Sequence, residues 1–138
     1  MIIAEIKRVQ VYCWESPKGV VRFLIPRAME IIAARPQPQA ALPFGLADAA
    51  QAIRSNPHAT TLDLAYAMKT DLNKPLIIAT TPDGFVIIDG WHRIIKQVLT
   101  HTNNLPVDLL TAEETLRCIV DENGVILCEQ STIALLKS

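Results

Sequence analysis

The five consecutive residues Asp89-Gly90-Trp91-His92-Arg93 gather groups that could do chemistry together. They stand where the apolar run Phe85-Val86-Ile87-Ile88 stops and the helix-patterned run Ile94 to Leu99 begins, so they form a strand-to-helix corner. Gly90 can adopt a backbone conformation closed to other residues and lets a ligand come close to the main chain. The helix after it starts with N–H groups that have no partner inside the helix and with a partial positive charge, which together suit an anion. His92 and Arg93 fall in its first turn and add donors for phosphate, and a guanidinium can grip two oxygens at once. Lys96, one turn on, extends the same site. These residue types predict a phosphate-binding corner of Gly90, His92, Arg93 and Lys96 without naming a reaction. A phosphotransferase also needs a carboxylate to accept the substrate's proton or to hold Mg²⁺. Asp89 is the nearest candidate and Glu30, on an N-terminal helix, a distant one. Asp89 has a competing reading as an N-cap, a role that contributes about 1 kcal/mol of stability.

The elements that must position this corner are read from periodicity and turn chemistry. The β-branched and aromatic content of Ile2 to Trp14 and of Val20 to Ile25, on either side of Glu15-Ser16-Pro17-Lys18-Gly19, predicts a hairpin. Pro26 opens a helix through Ala34 that places Met29, Ile32 and Ala33 on one face and Arg27 and Glu30 elsewhere, and Pro36 ends it. Arg35 to Pro43 holds three prolines, two glutamines and no period, which predicts a loop able to act as a mobile flap over a substrate. Helices follow over about Leu46 to Arg54 and about Leu62 to Leu72, the second capped by Thr60 or Thr61. Leu76 to Thr80 and Phe85 to Ile88 are strands joined by the turn residues Pro82-Asp83-Gly84.

In the helix from Trp91, the positions Trp91, Ile94, Ile95, Val98 and Leu99 share the apolar face, which favours a core role for Trp91 over that of a base-stacking platform and frees His92 and Arg93 for binding. Asn103-Asn104 reads as a turn and Leu105 to Leu110 as a strand with Pro106 near its start. Thr111 and Glu114 have capping-box spacing for a helix to about Arg117. The tail reads as a hairpin around Asn123-Gly124 and a short helix capped by Ser131.

With 138 residues, half of them hydrophobic, the chain fits one domain with a core of its own. A net charge of −1 and a pI near 6.3 do not favour a nucleic-acid partner, which usually meets a basic face, although a local basic patch is compatible with them. Met1 to Arg8 lacks the apolar region of a signal peptide, and no run approaches the roughly 20 apolar residues of a membrane helix. The expectation is a soluble, cytoplasmic protein without a membrane partner. Cys13, Cys118 and Cys128 lack metal-type spacing, so no metal site is expected and the thiols read as reduced and at least half-buried. A hairpin loop at Glu122-Asn123-Gly124 would set Cys118 opposite Cys128. His58 and His101 read as solvated loop residues.

Taken together, Pro75-Leu76-Ile77-Ile78, the Asp83-Gly84 turn, Ile87-Ile88-Asp89-Gly90-Trp91-His92-Arg93 and Leu105-Pro106-Val107 resemble the ParB/sulfiredoxin superfamily, over roughly Leu62 to Leu116. The Asp-Gly-x-His-Arg corner is the most specific part of the likeness. The resemblance implies a single-domain α+β fold, a small mixed sheet with flanking helices. Residues 62–116 would be its ParB-like core, residues 1–61 an N-terminal hairpin and helices, and residues 117–138 a C-terminal hairpin and short helix. It also implies a nucleotide (ATP, ADP, CTP or NAD, with Mg²⁺ as an accompanying ion) whose phosphates lie on the corner and the following helix.

Members of that superfamily include CTP-dependent partition proteins, ATP-dependent sulfinic acid reductases, free serine kinases, nucleases and ADP-ribosylating toxins, so fold alone does not choose among them. Sulfiredoxins carry a cysteine between the glycine and the histidine; Trp91 stands there in this chain, and the thiol that reduces a sulfinate is missing. Partition proteins use further DNA-binding and dimerisation domains, for which the residues after Leu116 are too few. The resemblance is then closest to the kinase and toxin branches, and the first expectation is transfer of a phosphoryl or ADP-ribosyl group to a small-molecule or protein acceptor. The alternatives are a noncatalytic ParB-like module that binds nucleic acid or protein, and a nuclease, which the absence of a carboxylate cluster at the corner disfavours.

Overall fold

Apolar and β-branched runs punctuated by glycine and proline resolve into short strands and helices along the whole described chain. The structure, a computed structural model, describes residues 10–37, 39, 42–56 and 62–127. In chain order these form β1 (Val11–Ser16), β2 (Gly19–Leu24), α1 (Ile25–Ala33), β3 (Phe44–Gly45), α2 (Leu46–Ser55), α3 (Leu64–Met68), β4 (Leu76–Thr81), β5 (Gly84–Asp89), α4 (Trp91–Thr100), β6 (Asn104–Leu105), β7 (Val107–Leu110), α5 (Ala112–Leu116) and β8 (Ile119–Val120). The strands make three small sheets, β1-β2-β8, β3-β6 and β5-β4-β7. Pairing is antiparallel except between β4 and β7, which run parallel, so the described residues form a mixed α+β fold with five helices. None of these helices is long and apolar enough to cross a membrane.

β4 is covered on both faces, which is why it reads as a continuous apolar run rather than an alternating one. Ile77 and Ala79 point into a core shared with Phe23, Ile25, Ala28, Ile31 and Ile88. Leu76, by contrast, packs with Phe44, Ala49, Ile94, Leu105 and Val107, which puts α2 and α4 on the opposite face. The pairing of β4 with β5 slips by one residue between Ile77 and Ile78: Ile77 faces Asp89 while Ile78 faces Ile87, so Ile88 is the extra residue of a bulge. Such a bulge bends a strand and re-aims the side chains beside it. Here it lies one residue before the corner.

Several expectations are corrected. The helix opened by Pro26 buries Ile25, Ala28 and Ile31, and Met29 and Ala33 are exposed. The shift follows from Ile25, which starts the helix fully buried beside Phe23. On α4 Leu99 is exposed and Gln97 is buried instead, its Nε2 donating to the Phe44 carbonyl at 2.8 Å. α3 is shorter than the spacing of Leu64, Met68 and Leu72 suggests: Asp63 caps it by accepting from Tyr66 N, and after Met68 the Lys69 and Thr70 amides bond three residues back. Pro106 divides the expected strand from Leu105 to Leu110 into β6 and β7, which belong to different sheets, and Asn104 pairs with Gly45 rather than turning. The capping box of Thr111 and Glu114 forms as expected.

The segment from Arg35 to Pro43, expected as a flap, is pinned where it is described. Arg35 holds Glu114 and the Leu109 carbonyl, and the Gln39 amide exchanges two hydrogen bonds with the Leu109 backbone, at 2.9 and 2.8 Å. Residues 2–9 of the first expected strand, His58, Thr60, Thr61, Cys128 and the helix capped by Ser131 lie outside the described residues.

Candidate functional site

The corner takes its shape from Gly90, which has φ 109° and ψ 14° and is the residue before the first turn of α4. An L side chain rarely adopts that backbone conformation. A side chain would also have no room: its Cβ would overlap Leu76 Cδ2 and lie 2.9 Å from Arg93 Nη2. The space that the sequence reading left open for a ligand at Gly90 is therefore filled by the protein itself. Glycine is needed here so that Leu76 and Arg93 can pack against the main chain.

Asp89 is not the cap of α4. Its carboxylate accepts from Arg93 Nη2 at 2.8 Å, and the side chains are only 15% and 11% exposed, so this is a largely buried pair. Gln10 Nε2 adds a longer contact to Asp89 at 3.4 Å. Arg93 Nε is buried without a partner, which leaves the guanidinium dependent on Asp89 for its compensation. Asp89 ends β5 and Arg93 lies in the first turn of α4, so the turn at Gly90, and not a continuous helix, brings the two side chains together.

His92 lies half-buried beside α3, its ring edge-on to Tyr66 with centroids 4.7 Å apart and planes at 79°. Lys96 is engaged elsewhere: Nζ donates to the Thr70 carbonyl at 2.6 Å, beyond the C-terminal end of α3, where a cation is favoured. Glu30 is 69% exposed and pairs with Arg27 at 3.5 Å, and among the described residues no hydrogen bond or ion pair joins it to the corner. The structure thus brings Asp89, Gly90 and Arg93 together, sets His92 beside them in the first turn, and commits Lys96 and Glu30 to other contacts. No side chain caps the start of α4, so its first-turn N–H groups and His92 are what the corner can offer an anion.

Trp91 faces the other way. Its indole N–H donates to the Ile87 carbonyl at 3.2 Å, and its ring packs with the core on the α2 and α4 side. It also forms part of the wall of a cleft of about 1000 Å³ between the β1-β2 hairpin, α2 and the β5-β4-β7 sheet. Tyr12, Trp14, Phe44 and Phe85 line the same cleft, with Glu15 and Asp48. Burial pushes the Tyr12 phenol above its ordinary range; a hydrogen bond with Trp91 opposes that rise and the neighbouring Cys13 thiol adds to it. Sequence reading missed this cleft because its walls come from segments far apart in the chain. Its local signal, two aromatic residues on β1 with a residue between them, looks the same as half-buried strand packing.

Among the described residues no group of three or more His, Cys, Asp or Glu side chains is placed to hold a metal ion. Cys118 is buried, and its Sγ donates to the Glu114 carbonyl, whereas Cys13 is exposed. Searches against known protein families, curated proteins and solved structures find no match to this chain.

Proposed function

We propose that this protein binds a phosphate-bearing ligand, a nucleotide in the first instance, at the start of α4, and that its core is a ParB/sulfiredoxin-like fold. The observation that carries this reading is the uncapped first turn of a ten-residue helix, entered through a left-handed glycine with His92 at its side. The order of elements supports it further: the β4-β5 hairpin, the corner, α4 and then β7 parallel to β4 follow the order of the likeness seen in the sequence. Binding is better supported than group transfer. Asp89 is held by Arg93 in a largely buried pair, and Glu30 is exposed beside Arg27 with no hydrogen bond or ion pair to the corner among the described residues, so neither carboxylate is presented to a ligand at the start of α4. That commitment favours a noncatalytic nucleotide-binding module over a transferase of phosphoryl or ADP-ribosyl groups.

The test is thermal unfolding with inorganic phosphate, ATP, ADP, CTP and NAD, each with and without Mg²⁺, for the parent and for His92→Ala. A ligand at 100 times its dissociation constant adds about 2.7 kcal/mol of stability, which the parent reports as a raised Tm. His92→Ala is expected to lower that response while unfolding cooperatively. No response of the parent to any of the five at millimolar concentration sinks the proposal. Consumption of ATP or NAD by the parent in the same samples would restore the transferase reading.

A further inference from the structure

We propose that the cleft between β1, α2 and β5 is a second binding site, independent of the phosphate reading, and that it takes a small aromatic ligand carrying a positive charge. The chain has seven aromatic residues, and five of them, Tyr12, Trp14, Phe44, Phe85 and Trp91, line this one cleft. Its volume of about 1000 Å³ lies at the upper end of the range for small-molecule sites, which are typically apolar walls with a few placed polar groups. Phe85 is 73% exposed, so a large apolar ring stands in water at the edge of the cleft, where a ligand would cover it.

Charge decides the class of ligand. Among the described residues the cleft is lined by two carboxylates, Glu15 and Asp48, and by no lysine, arginine or histidine. Arg54 reaches Gln51 on α2, at 3.1 Å, but does not line the cleft. Asp48 Oδ2 accepts from the Gly45 amide, which fixes the carboxylate and leaves Oδ1 for a ligand. Among the described residues a phosphate or carboxylate ligand would meet two like charges and no compensating cation. A ligand ammonium is attracted by carboxylates and by the faces of tyrosine and tryptophan rings, and both residue types line the cleft.

Both tryptophans of the chain are in the lining, so intrinsic fluorescence reads occupancy directly. Three probes share one ring and differ in charge: phenethylammonium, 2-phenylethanol and phenylacetate. In the full-length chain the cation is expected to perturb tryptophan emission with a dissociation constant at least about fivefold below that of the alcohol, and phenylacetate is expected to bind most weakly. The double variant Glu15→Gln and Asp48→Asn keeps an amide oxygen for the Gly45 amide; its preference for the cation is expected to fall below twofold while the alcohol binds as before. Equal binding of all three probes by the parent, or no response to any of them, overturns the proposal. So does a cation preference that the double variant retains. Failure of the phosphate titrations has no bearing on these outcomes, because those ligands read the start of α4.

Discussion

Replacing Asp89 by asparagine separates an ion pair from a helix cap with one carboxylate oxygen. If Asp89 capped α4, asparagine would do nearly as well and stability would change by a few tenths of a kcal/mol. The structure gives a different expectation. Arg93 Nη2 meets Asp89 Oδ2 at 2.8 Å, Arg93 is 11% exposed, and its Nε is buried without a partner. Asparagine leaves this guanidinium largely buried and uncompensated. Charged hydrogen bonds are worth about 1.5–3 kcal/mol, and breaking one partner of a fully buried pair costs about 3–5 kcal/mol. The residual exposure and the surviving amide oxygen place Asp89→Asn near the lower figures, at about 2.5 kcal/mol. With an unfolding entropy of roughly 2.1 cal/mol/K per residue, that is a fall in Tm of about 9 °C for this chain. Urea unfolding of Asp89→Asn, Arg93→Gln and the double variant measures the loss and the coupling together. The pair predicts a coupling of about 2 kcal/mol, with the double variant little worse than the poorer single one. A loss below about 0.5 kcal/mol with additive single changes would refute the reasoning.

Two further substitutions probe the supports of the fold. Gly90→Ala forces an L side chain to φ 109° and drives its Cβ onto Leu76 and Arg93, so it is expected to destabilise by about 2 kcal/mol or more in the same urea assay; a change within 0.5 kcal/mol would show that the corner relaxes freely. Glu114→Gln keeps the capping box but removes the charge that holds Arg35 at 2.8 and 3.0 Å, at an expected cost of about 2 kcal/mol near neutral pH. The hydrogen bonds from Arg35 hold the Glu114 carboxyl below its ordinary value of 4.5 against the opposing effect of burial. A depressed folded value means that this stabilisation is complete above the ordinary range and fades as pH falls through the folded value. The gap between parent and Glu114→Gln should therefore be constant at neutral pH and narrow below pH 4.5; a gap that stays the same in acid counts against the ion pair.

What the sequence made legible was local. The Pro82-Asp83-Gly84 turn, Pro26 at the start of α1 and the Thr111 and Glu114 capping box act within a few residues, and each appears where its chemistry placed it. What failed depended on distant neighbours. The buried face of α1 is set by Ile25 against Phe23, and the burial of Gln97 is set by a carbonyl 53 residues away. The candidate site divided along the same line. Gly90 and the start of α4 could be read from order alone. Lys96, however, is taken by the Thr70 carbonyl, 26 residues away and invisible in the order of residues, whereas Arg93 is taken by Asp89 within the motif itself.

That capture sets how strongly the corner can hold a phosphate. Arg93 and Asp89 compensate each other, and Lys96 is directed to the Thr70 carbonyl, so direct hydrogen bonds to an anion fall to the α4 backbone and to His92. A helix start contributes about 0.3–1 kcal/mol to a nearby anion in a partly exposed setting, and hydrogen bonds to a charged group about 1.5–3 kcal/mol each. One or two such bonds with the helix contribution sum to about 2–7 kcal/mol before the loss of translational and rotational freedom is subtracted, so inorganic phosphate is expected to bind no tighter than a millimolar dissociation constant, about −4 kcal/mol. Any nucleotide that binds at micromolar concentration must draw about another 4 kcal/mol from its base or ribose, outside the corner. The comparison of phosphate with ATP, CTP and NAD therefore measures how far the ligand extends beyond α4. If phosphate alone bound at micromolar concentration, Arg93 would have to leave Asp89 for the ligand, and Asp89→Asn would then strengthen phosphate binding.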